Sequence, residues 1–251
     1  TDPKTNETYS SVLKPIGQSF SGKTVDFHNS EVSNVVVEPA TQDEIDATIK
    51  VMGGEDWVLW IEALQAAGVL AEDFLTIAYS YIGPEITHAI YRDGTIGKAK
   101  DHLEDSVAVI DKMVEELRGK AYVSVNKALV TQSSSAIPVV PLYVALLYKI
   151  MKEKGLHEGC IEQPYRLFAD QLYGKIQTDE AGRTRLDDLE MLPEVQEAVM
   201  ANWDQITTEN INQLTDLAGF RDAFFELFGF GLPGVDYAKE VDPEVKIISI
   251  D

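Results

Sequence analysis

Apolar positions recur along this chain with two alternating periods. Ile45, Ile49 and Met52 fall on one helical face. Thr41 and Glu44 precede them at the capping-box spacing, where a hydroxyl and a carboxylate satisfy the first free N–H groups. Gly53-Gly54 ends that helix. A second is predicted from about Asp56 to Ala67, with Trp57, Trp60, Ile61 and Leu64 as its core stripe. Upstream, within 1–40, the runs SFSGKTVDF and SNVVVEP carry β-branched and aromatic residues between Gly, Asn and Ser, which predicts a hairpin. Phe74–Tyr79 reads as a buried strand and Ala121–Val125 as another, with a helix from about Thr95 to Arg118 between them. An amphipathic helix is predicted over Leu142–Lys154, stopped by Gly155, and 160–176 and 193–203 look helical again. Ile247–Ile250 has the pattern of a last strand. Strands alternating with long helices imply a parallel α/β sheet, with no internal repeat. Ligands bind such sheets at the carboxyl ends of the strands. The site is therefore expected from Tyr79–Lys100 and Asn126–Ser135.

Composition narrows the classes. The 251 residues are 45 % hydrophobic and 25 % charged, an ordinary globular balance. That excludes a disordered chain, a collagen and a disulfide-stapled mini-protein. The formal net charge of −21 should repel nucleic-acid phosphates and anionic lipid surfaces. The longest apolar run, Ala136–Tyr148, is broken by Pro138 and Pro141 and is shorter than the roughly 18 residues a membrane helix needs. Cys160 is the single cysteine, so no intrachain disulfide is possible and a reducing, cytoplasmic compartment is expected. The first residues, TDPKTNETYSS, are polar and lack an initiator Met, so the gene is expected to begin upstream of Thr1.

Two motifs are set aside on context. Gly229–Gly234 matches GxGxxG, but a strand should precede it and a helix should follow. An aromatic helix-like stretch precedes it and Pro233 interrupts it, so it reads as a C-terminal turn. His157 and Cys160 are a lone His-x-x-Cys without the second pair of a zinc site, so no metal is expected; a surface His and a buried thiol is the simpler reading. The segment Tyr91–Lys100 carries more chemistry. A phenol with a pKa of about 10 is a poor acid near neutrality, and a nearby ammonium eases proton donation. Tyr with Lys at a strand end thus suits protonation of an enolate or an alkoxide. Nine residues of unbroken helix would put the two side chains on opposite faces. The Arg92-Asp93-Gly94 turn removes that objection if Thr95 caps the helix that follows. By spacing alone, a packed Tyr and a solvated Lys remain the plainer alternative.

The whole string TIAYSYIGPEITHAIYRDGTIGKAK (76–100) resembles the FabV/TER family of trans-2-enoyl-ACP/CoA reductases, relatives of the short-chain dehydrogenases. VMGGEDW (51–57), SVNKALVT (124–131), IPVVPLY (137–143), HEGCIEQ (157–163) and TDLAGF (215–220) are similar to it too. The Tyr-x8-Lys signature of that family falls on Tyr91 and Lys100; Lys98 gives the Tyr-x6-Lys spacing of another enoyl reductase family, and GTIGKAK aligns in favour of Lys100. The resemblance implies a Rossmann-like, short-chain-dehydrogenase-like parallel sheet with helices on both faces, a small hairpin or lid and a helical tail. It implies a lid-like segment over 1–40, the C-terminal half of the catalytic core over 41–155, and a mainly helical extension over 156–251. It further implies NADH-dependent reduction of an enoyl-ACP or enoyl-CoA in fatty acid synthesis. Tyr91 would be the proton donor, Lys100 would contact the cofactor, Tyr81 would bind substrate, and Leu129, Val130 and Thr131 would form a cofactor-binding loop. The Gly-rich pyrophosphate turn and the acidic residue that selects NADH over NADPH, both N-terminal in that family, have no counterpart here. The expectation is that this part of the enzyme is a separate chain or fragment, the whole otherwise being monomeric. Two other readings stay open from sequence: an acidic, non-catalytic α/β binding module, and a Tyr/Lys reductase of another carbonyl substrate.

Overall fold

The computed structural model describes every residue except 3, 243 and 245–251. The strand expected at 247–250 lies outside the described residues. β1 (Phe20–Asp26) and β2 (Glu31–Val37) pair antiparallel as the expected hairpin. Next come α1 (Gln42–Met52) and α2 (Glu55–Ala66). The capping box forms as read: Glu44 N–H donates to Thr41 Oγ1 at 3.3 Å, and Thr41 N–H donates to Glu44 Oε2 at 2.9 Å.

A three-stranded sheet follows. β3 (Leu75–Ser80) leads through the one-turn α3 (Glu85–His88) and the long α4 (Thr95–Met113) to β4 (Lys120–Val125). β3 and β4 run parallel, with Ser80 opposite Val125, and β5 (Thr184–Arg185) adds in parallel on the other side of β4. The strand–helix–strand connection is the crossover that parallel pairing demands. Two residues cannot announce a strand by periodicity, so β5 was invisible in the pattern. α4 stops at Met113 rather than near Arg118; a short 3-10 turn, Glu115–Leu117, carries the chain on. Gly94, not Thr95, stands at the cap of α4, and the Thr95 hydroxyl instead donates to the Val12 carbonyl at 2.6 Å.

The remaining helices are α5 (Gln132–Ser135), α6 (Val140–Glu153), α7 (Glu162–Arg166), α8 (Pro193–Trp203), α9 (Ile211–Leu214) and α10 (Leu217–Glu226). A π-helical turn, Leu167–Leu172, extends α7. α6 is not amphipathic: Val140 through Tyr148, Ile150 and Met151 are all buried. It is the central rod of the main core, and helices apolar on all sides are buried ones. Val25 and Phe27 of the hairpin region, Val195 and Val199 of α8 and Phe220 of α10 pack round it. A smaller core joins Ile61, Ile110, Val114 and Ala121 between α2, α4 and β4.

Two readings change here. Trp57 packs on the smaller core and donates from Nε1 to Thr76 Oγ1 at 2.8 Å, but Trp60 is 62 % exposed. β3 is not a fully buried strand, since Leu75 and Tyr79 are exposed. Its backbone pairs on one side only among the described residues, which makes it an edge strand.

Candidate active site

The carboxyl ends of β3 and β4 open onto a cavity of about 370 Å³. Tyr79, Tyr81 and Tyr91 line it from the first expected segment, and Asn126–Leu129, Thr131, Ser133 and Ser134 from the second. Gln163, Pro164, Leu167 and Leu186 close it from the C-terminal part of the chain.

Local geometry brings Tyr91 there. The chain leaves β3 through Gly83, whose φ of +72° favours a residue without Cβ. His88 Nε2 lies 2.9 Å from the Gly83 carbonyl and tightens this loop. The Tyr91 carbonyl then accepts from Gly94 N–H at 3.2 Å and from Gly97 N–H at 3.1 Å, which folds the Arg92-Asp93-Gly94 turn onto the first turn of α4. A Cβ on Gly97 would sit 1.7 Å from the Arg92 carbonyl oxygen, so only glycine admits that approach. The Tyr91 ring meets the Tyr81 ring edge-on, with centroids 5.0 Å apart. Burial pushes the Tyr91 phenol up to about 12, a weaker acid than the free side chain, and no ammonium offsets it: the easing of proton donation expected from a neighbouring lysine is not seen among the described residues.

The two candidate lysines part company. Lys100 is half-buried and donates from Nζ to the Tyr79 carbonyl at 3.0 Å, at the strand end beside the cavity. Burial lowers its pKa. Lys98 is exposed, and its ammonium lies 3.5 Å from Asp101. The loop residues also divide. Leu129 and Thr131 line the cavity. Val130 is buried behind it, with its N–H donating to the Tyr148 hydroxyl at 3.2 Å. The Thr131 hydroxyl caps α5, accepting from Ser134 N–H at 3.0 Å.

Two residues that the sequence did not single out bear on the wall: Lys127, which lines the cavity, and Glu190, which holds the lining residues Tyr81 and Ala128. Glu190 is fully buried. Its Oε1 accepts from the Tyr81 hydroxyl at 3.1 Å and from the Tyr143 hydroxyl at 2.6 Å, and its Oε2 accepts from Ala128 N–H at 2.7 Å. Burial raises the Glu190 pKa against the opposing pull of these donors and of Lys127. Lys127 is buried too, and burial drops its ammonium to about 8. Its Nζ donates to the Ala128 carbonyl at 2.9 Å and lies 4.7 Å from the centre of the Tyr148 ring. Lys127 had one available signal, a lone cation in an otherwise uncharged run from Ala121 to Tyr148. Glu190 had none, since it follows Asp187 and Asp188 in an acidic stretch, and nothing local marks it as buried.

His157 is not a surface residue. It is half-buried, edge-on to Tyr148 at 4.4 Å, and burial pulls its pKa down to about 4. Cys160 is half-buried on the cavity wall. Among the described residues no group of three or more His, Cys, Asp or Glu is placed to hold a metal ion.

The family described as the trans-2-enoyl-CoA reductase catalytic region matches residues 1–173, and one described as the enoyl reductase FAD binding domain matches 178–241. An NADH-dependent enoyl-[acyl-carrier-protein] reductase of Cytophaga hutchinsonii is 58 % identical over 98 % of this chain and 63 % of its own length. An NADH-dependent trans-2-enoyl-CoA reductase of Clostridium perfringens is 57 % identical over 96 % of this chain and 62 % of its own. The crystal structure of Treponema denticola trans-2-enoyl-CoA reductase in complex with NAD superposes with a TM-score of 0.91 at 52 % identity, covering 96 % of this chain and 61 % of that one. The chain thus spans a little under two thirds of the length of these relatives.

Two cofactors can be tested against the residues. The cavity fits a nicotinamide: Ala128, Leu129, Ile137 and Leu186 give it an apolar lining, and Tyr91 and Thr131 add polar groups to it. A flavin dinucleotide does not fit 178–241. That stretch holds fourteen Asp and Glu against four Lys and Arg. Arg183 is held by Glu104 and Asp179, Arg185 by Asp187, and Arg221 by the Phe27 carbonyl and Ser30. Arg221 is the one arginine of the stretch without a carboxylate partner among the described residues, and it bonds to the hairpin and does not line the cavity.

Proposed function

The chain belongs to the trans-2-enoyl-CoA reductase family, and on that premise we propose that it is the larger part of an NADH-dependent reductase of trans-2-enoyl thioesters. The observation that supports this best is the placement of Tyr91, with Tyr81 against it, in the lining of a cavity built from both strand ends. When bound, NADH supplies the hydride for the β-carbon of the enoyl thioester. The Tyr91 hydroxyl donates a hydrogen bond to the thioester oxygen and stabilises the negative charge that develops there. It then releases its proton, and protonation at the α-carbon completes the reduction. Lys100, anchored on the Tyr79 carbonyl, holds the cofactor through its remaining N–H donors. Leu129, Val130 and Thr131 form a loop that would help to hold the cofactor. Tyr81 forms the substrate wall beside Tyr91. Lys98, paired with Asp101 at the surface, has no part in this arrangement.

The pyrophosphate turn belongs to a preceding segment of the same enzyme, joined to this chain or separate from it. The open edge of β3 is where that segment adds its strands. The direct test is NADH oxidation with crotonyl-CoA by the whole protein and by its Tyr91→Phe variant. The expected loss in kcat is about 10²–10⁴-fold, the usual contribution of a positioned general acid. Tyr91→Phe turning over within about twofold of the parent would remove Tyr91 from the chemistry.

A further inference from the structure

Two tyrosines in edge-on contact line the cavity, and their protons are not equivalent. A carboxylate only accepts hydrogen bonds, so the Tyr81 proton is committed to Glu190. The direction is fixed from behind as well. Gln196 Nε2 donates to the Tyr143 hydroxyl at 3.3 Å and to the Glu190 carbonyl at 2.7 Å. Tyr143 therefore spends its own proton on the same Glu190 oxygen. Burial alone acts on the Tyr91 phenol, with no side-chain hydrogen bond among the described residues to offset it.

Resting on the reductase reading, we propose that Glu190 is a positioning residue that divides the work between the two tyrosines. By taking the Tyr81 proton it leaves Tyr91, not Tyr81, to protonate the substrate. By holding Ala128 N–H with its other oxygen it pins the Leu129–Thr131 loop at a set distance from Tyr81. The carboxylate does both because each oxygen accepts on its own side. An amide cannot. With the Gln oxygen on Ala128 N–H, its NH₂ faces the phenols and turns them from donors into acceptors. With the amide reversed, its NH₂ opposes Ala128 N–H and the loop loses its acceptor.

The test uses the whole protein with NADH and crotonyl-CoA. Glu190→Gln is expected to lower kcat about tenfold and to raise KM for NADH at least about threefold. A merely destabilised enzyme loses active fraction and leaves KM unmoved, so an unmoved KM overturns the proposal. Tyr81→Phe carries the test even where Glu190→Gln does not fold. Because the Tyr81 proton is not the one transferred, its kcat should fall less than about tenfold while KM for the thioester rises. A Tyr81→Phe variant as slow as Tyr91→Phe overturns the division of work. An NMR readout with ¹³Cζ-tyrosine labelling is independent of turnover: the Tyr81 resonance should shift in Glu190→Gln, and an unshifted resonance overturns the contact. A parent protein with no turnover on enoyl thioesters sinks the reductase reading alone, and the Tyr81 resonance then decides the Glu190 contact by itself.

Discussion

Lys127 places a positive charge where water is excluded. Its folded pKa of about 8 lies below the ordinary 10.5 of a lysine, because burial penalises the charged form. The unfolded chain therefore binds more protons than the folded one between those two values, and stability rises with pH across that window. The gain from about pH 7 to about pH 9.5 amounts to about 2 kcal/mol. Denaturant unfolding at both pH values should show it in the parent protein and not in Lys127→Met. Equal pH dependence in both would mean that the ammonium is not confined as described. The same physics acts on Tyr91 with the other sign: burial disfavours the phenolate and raises the phenol to about 12. The sequence showed Tyr91 and Lys100 through a motif, whereas Lys127 and Glu190 acquire their character from burial, which no local pattern encodes.

At the scale of the element, the turn between Tyr91 and α4 is the decisive piece. Tyr91 reaches the cavity because its carbonyl accepts two N–H groups from the start of α4. That packing requires a bare backbone at Gly97. Gly97→Ala should destabilise the protein by about 3 kcal/mol or more, in the range of strained or overpacked sites. It should also lower kcat, because the turn must shift and takes Tyr91 with it. Thermal unfolding and steady-state kinetics on one preparation check both, and unchanged values would show that the turn relaxes without moving Tyr91. The turn breaks the helix, and Gly94 rather than Thr95 stands at the cap. Thr95 has the chemistry of a cap and spends its hydroxyl on Val12, a partner 83 residues away. The same distance effect turned Trp60 outward: α2 needs only one flank for the smaller core, and Trp57 already fills it.

For the whole molecule, the sheet is the informative feature. Three parallel strands carry the site at one end, and β3 leaves Leu75 and Tyr79 exposed along its open side. Parallel sheets are normally covered on both faces and extended on both sides. The 251-residue chain alone should therefore show no turnover of NADH with crotonyl-CoA, and adding the preceding segment of the enzyme should restore it. Turnover by the chain alone would place the pyrophosphate contacts within these residues. The hairpin at 20–37 sits on the main core, where Val25 and Phe27 are buried and Lys23 Nζ donates to the carbonyls of Asp204 at 2.7 Å and Ile206 at 3.1 Å. The cavity is lined entirely by residues between Tyr79 and Leu186.

By itself the sequence determined the elements whose causes are local. The capping box of α1, the hairpin, the two main strands and the strand-end position of the site all follow from neighbours a few residues apart. The tyrosine–lysine pair was legible because its spacing belongs to a recognisable string. Only the tertiary structure decided that α6 is buried along most of its length and that two residues near 184 complete the sheet; it also sets Lys100, the lysine that the string favoured, against the strand end. It alone brought Glu190 to Tyr81 across 109 residues of chain. Those outcomes depend on which distant surfaces exclude water from one another, and solvent exclusion is a property of the assembled fold.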